Sequence, residues 1–292
     1  MTEKITALLP TFNNAAIIRP TLESIGWVDE ILVVDSFSTD ETLDICREYG
    51  ARIIQNEYVQ SAKQKNWAIP QAKHEWVLQI DTDEVLEPEL SAEIQSILKN
   101  PPAAVDGFRI NFKHHVLGRW VRVSGLYPEY HLRLFRRDAG RFEDKEVHAH
   151  VRVPGEVRTL QNHILHFGMT SLSKQLSNID RYSRYQADEL RKRGKRFHWS
   201  QILFRPLAVF AYKYFWKRGF LAGYRGLWLA AITTTFDFWT HAKLWELESF
   251  NLSGSPQVMP NRMADSRSSI SLFGDDRLRK ETNDRSGVAS SA

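Results

Sequence analysis

Three carboxylates fall within four residues, Asp81, Asp83 and Glu84, directly after the apolar run Trp76 to Ile80. Such a run reads as a strand buried on both faces. Carboxylates at the mouth of a buried sheet repel one another and lose hydration, so a divalent cation or bound water must compensate them. Asp-X-Asp at the carboxyl end of a strand also lies where open α/β sheets take their ligands. The chemistry this suggests is a Mg2+ or Mn2+ ion held on a diphosphate by Asp81 and Asp83. For the tripeptide by itself, an acidic turn between strand and helix is the plainer reading. The histidines suggest a rival: His148 and His150 would share one strand face and His163 and His166 follow, so a zinc hydrolase site can be drawn. Against it, no His-Glu-X-X-His signature occurs, and the aspartates ending two strands would have no role.

These residues need elements to position them. Ile5 to Leu9 is expected to be the first strand, followed by a turn, Pro10 to Asn14, in which Asn13 or Asn14 caps a helix towards Ile25. Pro20 should kink that helix or start it late. Glu30 to Asp35 is a second strand that ends in a carboxylate. Ser38-X-X-Glu41 has the capping-box pattern, opening a helix through Tyr49 that Gly50 can close. Ala51 to Gln55 forms a third strand, and a helix over Ser61 to Ala72, broken near Pro70, leads into the strand before Asp81. A further helix runs from Pro88 to near Asn100. This alternation predicts an α/β fold with a mostly parallel sheet, helices on both faces and right-handed crossovers. Asp35 and the Asp81/Asp83 pair should then line one crevice. Asp106 to Val116 and Tyr130 to Arg137 are further strands, and Arg133 on the second either attracts an anionic group or lies on a solvated face. Gly-X-Gly-X-X-Gly and Gly-X-X-X-X-Gly-Lys-Ser/Thr patterns do not occur, which argues against dinucleotide dehydrogenases and P-loop NTPases.

The 292 residues suffice for one large α/β domain with additions, and 42% hydrophobic with 25% charged residues is an ordinary globular balance. The net charge of +4 favours anionic partners. A lone cysteine, Cys46, excludes a disulfide framework within the chain and fits a reducing cytoplasm. The acidic start, Met1 to Lys4, is unlike a signal peptide.

Thr170 or Ser171 should cap an amphipathic helix lasting to Gly194. The basic run Arg191 to Arg196 is followed by Phe197, Trp199, Phe204, Phe210, Tyr214 and Trp216, interleaved with Arg205, Lys213, Lys217 and Arg218. Aromatic rings beside cations suit a helix lying in an acidic lipid interface, and core packing of a helical extension could also use those rings. No RNA-binding signature accompanies the basic residues, so no nucleic-acid partner is expected. Ser200 to Leu247 is read as two interfacial or partly embedded helices, in preference to a transmembrane pass. Gly219, Gly223 and Gly226 have a spacing that suits close helix packing. Polar residues dominate from about Asn251, so a disordered tail is expected over 250–292.

In order along the chain, Leu8-Leu9-Pro10-Thr11-Phe12-Asn13, Val33-Val34-Asp35-Ser36-Phe37-Ser38-Thr39-Asp40, Lys65-Asn66-Trp67-Ala68 and Leu78-Gln79-Ile80-Asp81-Thr82-Asp83-Glu84 resemble the blocks of family 2 glycosyltransferases with the GT-A fold. His163 to His166, Asn178 to Tyr182 and Lys217 to Tyr224 are similar to the branch of bacterial lipopolysaccharide core glucosyltransferases. The resemblance covers roughly residues 4 to 245. It implies a Rossmann-like GT-A domain over 1–168, a membrane-associating helical region over 169–249, and a nucleotide-sugar donor. By that resemblance Pro10, Thr11 and Asp35 grip base and ribose, with Asp40 or Lys63 helping. Asp81 and Asp83 position Mg2+ or Mn2+ on the donor diphosphate, and His166 completes the metal site unless it is a satisfied core histidine. Arg133 is favoured for an anionic contact, because related sequences carry a basic residue before the Leu-Phe pair.

Family 2 enzymes usually invert the anomeric centre, which requires one general base. Related sequences have Val-His-Glu where this chain has Val147-His148-Ala149, so the usual glutamate is replaced. Glu146 is favoured in its place, with Asp144, Glu143 and His148 close by, unless the segment is simply a charged surface turn. The resemblance implies a metal-dependent inverting enzyme at the cytoplasmic face of the cell membrane. It would move a hexose, expected to be glucose from UDP-glucose, onto a lipid-linked envelope saccharide. Rival expectations are an inactive nucleotide-sugar-binding membrane scaffold, suggested by Ala149, and a nucleotidyltransferase.

Overall fold

The structure is a computed structural model that describes residues 2–144 and 149–250. Its first half alternates strands and helices: β1 (Ile5–Thr11), α1 (Ile18–Ser24), β2 (Glu30–Asp35), α2 (Thr42–Glu48), β3 (Arg52–Gln55), α3 (Ser61–Ala68) and β4 (Trp76–Gln79). Side chains alternate between two cores. Ile5, Ala7, Leu9, Val33 and Leu78 face one, while Leu8, Leu32, Val34 and Val77 face the other. Strands covered on both faces must be apolar throughout, and β1, β2 and β4 are buried at every position. β3, β2, β1 and β4 lie side by side and parallel, with Thr11 opposite Asp35 and Leu8 opposite Gln79. The carboxyl ends of β2 and β4 therefore reach the same edge.

Helix starts differ from expectation. α1 begins late, with Pro20 in its first turn, where a missing N–H costs nothing. The Asn14 carbonyl accepts the N–H groups of Ile17 and Ile18, and its side chain is used elsewhere. The capping box at Ser38 and Glu41 does not form. Asp40 accepts the Thr42 N–H instead, at 3.0 Å, while Ser38 turns to Asp35. Gly50, at φ +69°, closes α2 as expected.

The second half adds strands of both directions. They are β5 (Glu84–Leu86), then, after α4 (Pro88–Lys99), β6 (Val105–Val116), β7 (Arg119–Trp120), β8 (Tyr130–Arg136), β9 (Arg141–Phe142), β10 (Val151–Arg152) and β11 (Glu156–Met169). The sheet order is β3-β2-β1-β4-β8-β6-β11-β5, with β7 on β6. β8 runs antiparallel to both β4 and β6, β11 is parallel to β6, and β5 is antiparallel to β11. The sheet is thus parallel over its first four strands and mixed beyond them. β5 was not anticipated: the chain leaving Asp83 pairs with β11 before entering α4. β9 and β10 form a separate small hairpin.

Beyond β11 come α5 (Leu172–Lys192), α6 (Ser200–Leu203), α7 (Arg205–Ala211), a π-helical turn at Tyr212–Trp216, a 3-10 turn at Gly219–Ala222 and α8 (Tyr224–Ser249). Ser171 precedes α5 without a side-chain cap. Leu229 of α8 packs with Val116 and Met169 of the sheet, and Ile232 and Phe236 pack with Ile179 of α5. Arg225 donates to the carbonyls of Val116 and Leu117 at 3.0 and 3.1 Å, tying α8 to the end of β6. Lys243 pairs with Asp180 at 2.8 Å, and Arg205 with Asp237 at 2.9 Å. A Cβ on Gly226 would fall 1.7 Å from the Gly219 carbonyl oxygen, so these two glycines serve a close backbone crossing. Much of α8 is therefore packed against α5 rather than interfacial. Among the described residues no helix is long and apolar enough to cross a membrane. The tail expected after Asn251 lies outside the described residues.

Candidate active site

Asp81, Thr82 and Asp83 form the turn between β4 and β5, and all three are buried. Asp81 Oδ1 lies 3.0 Å from Lys65 Nζ and accepts from Gln79 Nε2 at 3.0 Å. Its Oδ2 faces Arg133 at 3.3 Å. Arg133 also donates to Glu84 Oε1 at 2.6 Å, while Glu84 Oε2 accepts the Asp81 N–H at 2.9 Å. Two buried carboxylates are thus matched by two buried cations, as burial requires. Burial alone would push the Asp81 carboxyl up, but Lys65 and Arg133 outweigh it and hold it below its ordinary range. At Glu84, burial and then the neighbouring Asp81 charge prevail over Arg133, and the carboxyl is raised.

Asp83 turns elsewhere. Its Oδ1 lies 3.6 Å from Nε2 of His166, and its carbonyl accepts the Phe167 N–H at 2.8 Å. Strand register produces this meeting, because His166 of β11 is opposite Glu84 on β5 and His114 on β6. Burial opposes a charged His166, but Asp83 and then Glu84 outweigh it and raise its pKa.

From His166 a chain of polar side chains continues through the sheet. His166 Nδ1 is 3.0 Å from His114 Nδ1, His114 Nε2 is 2.7 Å from Glu129 Oε2, and Glu129 Oε1 is 3.0 Å from His131 Nε2. Burial would raise the Glu129 carboxyl, but His114 and His131 pull it well below the ordinary range; burial pushes His114 down. The Phe112 ring is common to this group. His131 meets it edge-on at 5.0 Å, His114 and His166 lie 6.0 Å from it, and the Arg133 guanidinium sits 5.2 Å from its centre. Arg133 arrives there through a bulge. Leu132 and Leu134 pair with the consecutive residues Arg109 and Phe108, leaving Arg133 as the extra residue of β8, re-aimed inward. The solvated-face reading of Arg133 is thereby overturned.

At the neighbouring strand ends, Pro10, Thr11 and Asp35 are all buried. Asp35 accepts the Ser38 N–H at 2.9 Å, the Ser38 hydroxyl at 2.5 Å and Gln55 Nε2 at 2.9 Å. The Thr11 hydroxyl has no hydrogen-bond partner among the described residues. Phe37 holds φ at +63°, a costly conformation for a bulky residue, and its ring is 53% exposed. Asp40 braces the loop by accepting from Thr42 and the Ala15 N–H; burial opposes its charge, but these donors prevail and lower its pKa. The Thr82 hydroxyl donates to Asn14 Oδ1, so the first loop and the acidic turn are directly joined.

Lys63 is exposed on α3, whereas Lys65, two residues on, is buried against Asp81. Lys65 belongs to one of the blocks that resemble the family, but a buried lysine in a polar helix leaves no periodic signal in the sequence. The β9–β10 hairpin is pinned beside it. Asn66 exchanges hydrogen bonds with the Phe142 backbone at 2.8 and 2.9 Å, and Lys65 lies 5.3 Å from the Phe142 ring. Asp144 is exposed on the loop of that hairpin, and Glu143 pairs with Arg152 at 2.9 Å. Glu146 and His148 lie outside the described residues. Among the described residues the zinc arrangement is not assembled: His163 is held between Glu87 and Tyr127, both at 3.2 Å, His150 stacks on His131, and His166 turns to Asp83. Among the described residues, no group of three or more His, Cys, Asp or Glu side chains is set to hold a metal by itself.

The family model described as Glycosyl transferase family 2 matches residues 6–152, which include the acidic turn and the loops beside it. The lipopolysaccharide core biosynthesis glycosyltransferase LpsC of Rhizobium meliloti is 27% identical over 261 residues, covering 87% of this chain and 96% of that protein. An uncharacterized glycosyltransferase of Rickettsia felis is 29% identical over 255 residues, covering 84% and 90%. Among solved structures, the mannosyltransferase PcManGT from Pyrobaculum calidifontis, in complex with GDP-Man and Mn2+, has a TM-score of 0.51 at 15% identity, covering 84% of this chain and 88% of that one. At that identity the likeness is one of fold. With the GT-A fold and a family match over just the half that builds the acidic turn, the chain belongs to glycosyl transferase family 2.

Proposed function

We propose that this glycosyltransferase is a metal-dependent, inverting hexosyltransferase that moves glucose from UDP-glucose onto a lipid-linked envelope saccharide. The observation that carries the reading is the charge arrangement of the acidic turn. Lys65 and Arg133 match Asp81 and Glu84, while Asp83 turns to a histidine. A carboxylate and an imidazole together suit Mn2+ better than Mg2+, which prefers oxygen donors, and either ion completes its coordination with substrate phosphates and water. Asp83 and His166 would hold the ion, with Asp81 beside them. When bound, the ion supplies charge that offsets the departing diphosphate. Pro10, Thr11 and Asp35 bind the nucleoside, and the unpartnered Thr11 hydroxyl has a hydrogen bond to give. Asp40 keeps that loop in shape, and Lys63 is an outer helper to the nucleoside contact. Asp144, exposed on the hairpin loop, and Glu146, outside the described residues, are the carboxylates that the family resemblance puts forward for the acceptor's proton.

The acceptor assignment is supported by the name of the Rhizobium relative and by the helical layer. Trp199, Phe204, Leu207, Phe215, Trp216 and Leu221 are each at least 58% exposed, close in sequence to Arg205, Lys217 and Arg218. An acidic bilayer surface satisfies both sets, the rings in the headgroup layer and the cations on anionic lipid. The protein would then act as a peripheral enzyme on the cytoplasmic face of the cell membrane.

The test is product release from UDP-glucose with Mn2+ and acceptor lipid. UDP should appear, Asp83→Ala and His166→Ala should each reduce it by at least about 100-fold, and chelation should stop it. Release of pyrophosphate would indicate nucleotidyl transfer. Binding of UDP without turnover across a panel of donors and acceptors would favour the scaffold reading that Ala149 raises.

A further inference from the structure

Transfer to an acceptor hydroxyl requires a group that takes its proton. His131 is placed for that work. Its imidazole is 22% exposed, set on β8 next to the inward bulge that delivers Arg133 to Asp81. His131 and Arg133 share the Phe112 ring with His166, so the imidazole lies on the acidic turn's side of the sheet. Glu129 Oε1 accepts a hydrogen bond from His131 Nε2 at 3.0 Å. Glu129 is itself fixed, its N–H donating to Asn111 Oδ1 at 2.9 Å and its carbonyl accepting the Phe112 N–H at 2.9 Å. A buried carboxylate bound to one ring nitrogen places the proton there and leaves the lone pair on the other. That other nitrogen, Nδ1, makes no hydrogen bond among the described residues, and His150 stacks on the ring at 6.0 Å and 12°.

We propose that His131 is the general base of the transfer, with Glu129 as its positioning residue. The assignment rests on the transfer reading above. As the acceptor oxygen bonds to the anomeric carbon, the bond from that carbon to the diphosphate oxygen breaks and its electron pair leaves with the nucleoside diphosphate. The acceptor's hydroxyl proton passes to Nδ1 of His131, which later gives it to water. The site thus uses a histidine held by a carboxylate as its proton acceptor.

The experiment measures transfer and UDP affinity together. His131→Ala should lower transfer by about 10²- to 10⁴-fold, leave UDP affinity unchanged, and recover partly on addition of free imidazole. Glu129→Gln should lower kcat with KM for the donor unchanged. A His131→Ala protein within about threefold of wild-type transfer would overturn the assignment, as would a parallel loss of UDP affinity and transfer. Transfer lost in Glu146→Gln but kept in His131→Ala would give the role to the hairpin loop instead. These outcomes leave the transfer reading standing. A wild-type chain that binds UDP and transfers nothing overturns that reading, and this assignment with it.

Discussion

Arg133 shows how much one side chain can hold together. It is the cation shared by Asp81 and Glu84, so replacing it leaves two buried carboxylates with Lys65 alone. Arg133→Met should therefore cost about 3–5 kcal/mol of stability, measured by urea unfolding, beyond any effect on transfer. Cys46 makes a second prediction at this scale. Burial, then the charge of Asp35, pushes its thiol up to about 12, so the reactive thiolate is disfavoured at any ordinary pH. Alkylating reagents at pH 8 should label it only once the chain is unfolded. The aspartates were legible in sequence because a carboxylate ending a strand is a local pattern. His166 was legible only through family resemblance. Arg133 was half legible, since strict alternation does not foresee a bulge. His114, Glu129 and His131 were not, because each is defined by partners on other strands.

Among the elements, β2 and the first turn of α8 carry the sharpest expectations. Glu30 opens β2 and is bound by the Thr6 hydroxyl at 2.7 Å, Arg52 at 2.7 Å and the Lys73 N–H at 2.8 Å. Burial would raise its pKa, but these donors prevail and lower it. A carboxyl depressed in the folded state stabilises fully above its ordinary value of 4.5, and that contribution is lost as pH falls through the folded value. Glu30→Gln should accordingly weaken the fall of unfolding free energy between neutral pH and pH 3. Gly226→Ala forces a methyl against the Gly219 carbonyl and should cost about 1–3 kcal/mol, read from the shift in thermal midpoint. Strand positions were readable from apolar runs, and helix ends less so. At Ser38 a capping-box pattern lost to the stronger claim of Asp35, a competition that no local motif reports.

For the whole molecule, the parallel half followed from sequence because β1, β2 and β3 lie side by side as consecutive βαβ units, with β4 joining the free edge of β1. The mixed half did not, since β8 inserts between β4 and β6 and β5 joins the far edge by pairings remote in sequence. The helical layer makes its own prediction. Trp216→Ser and Phe204→Ser each remove a large exposed ring, 79% and 68% accessible, and each should weaken sedimentation with anionic vesicles by about tenfold or more. Unchanged sedimentation in the double variant would remove the lipid surface from the account.

Arg225 grips the carbonyls of Val116, the last residue of β6, and of Leu117 just beyond it, and Phe112 stands only four residues back from Val116 along that strand. If the protein sits on a bilayer by its rings, as proposed, that grip would act as a gauge, setting the height at which sugar is added above the lipid. Acceptors would then be selected by reach as well as by chemistry, and a glycan one unit too short would miss the reaction while fitting every contact.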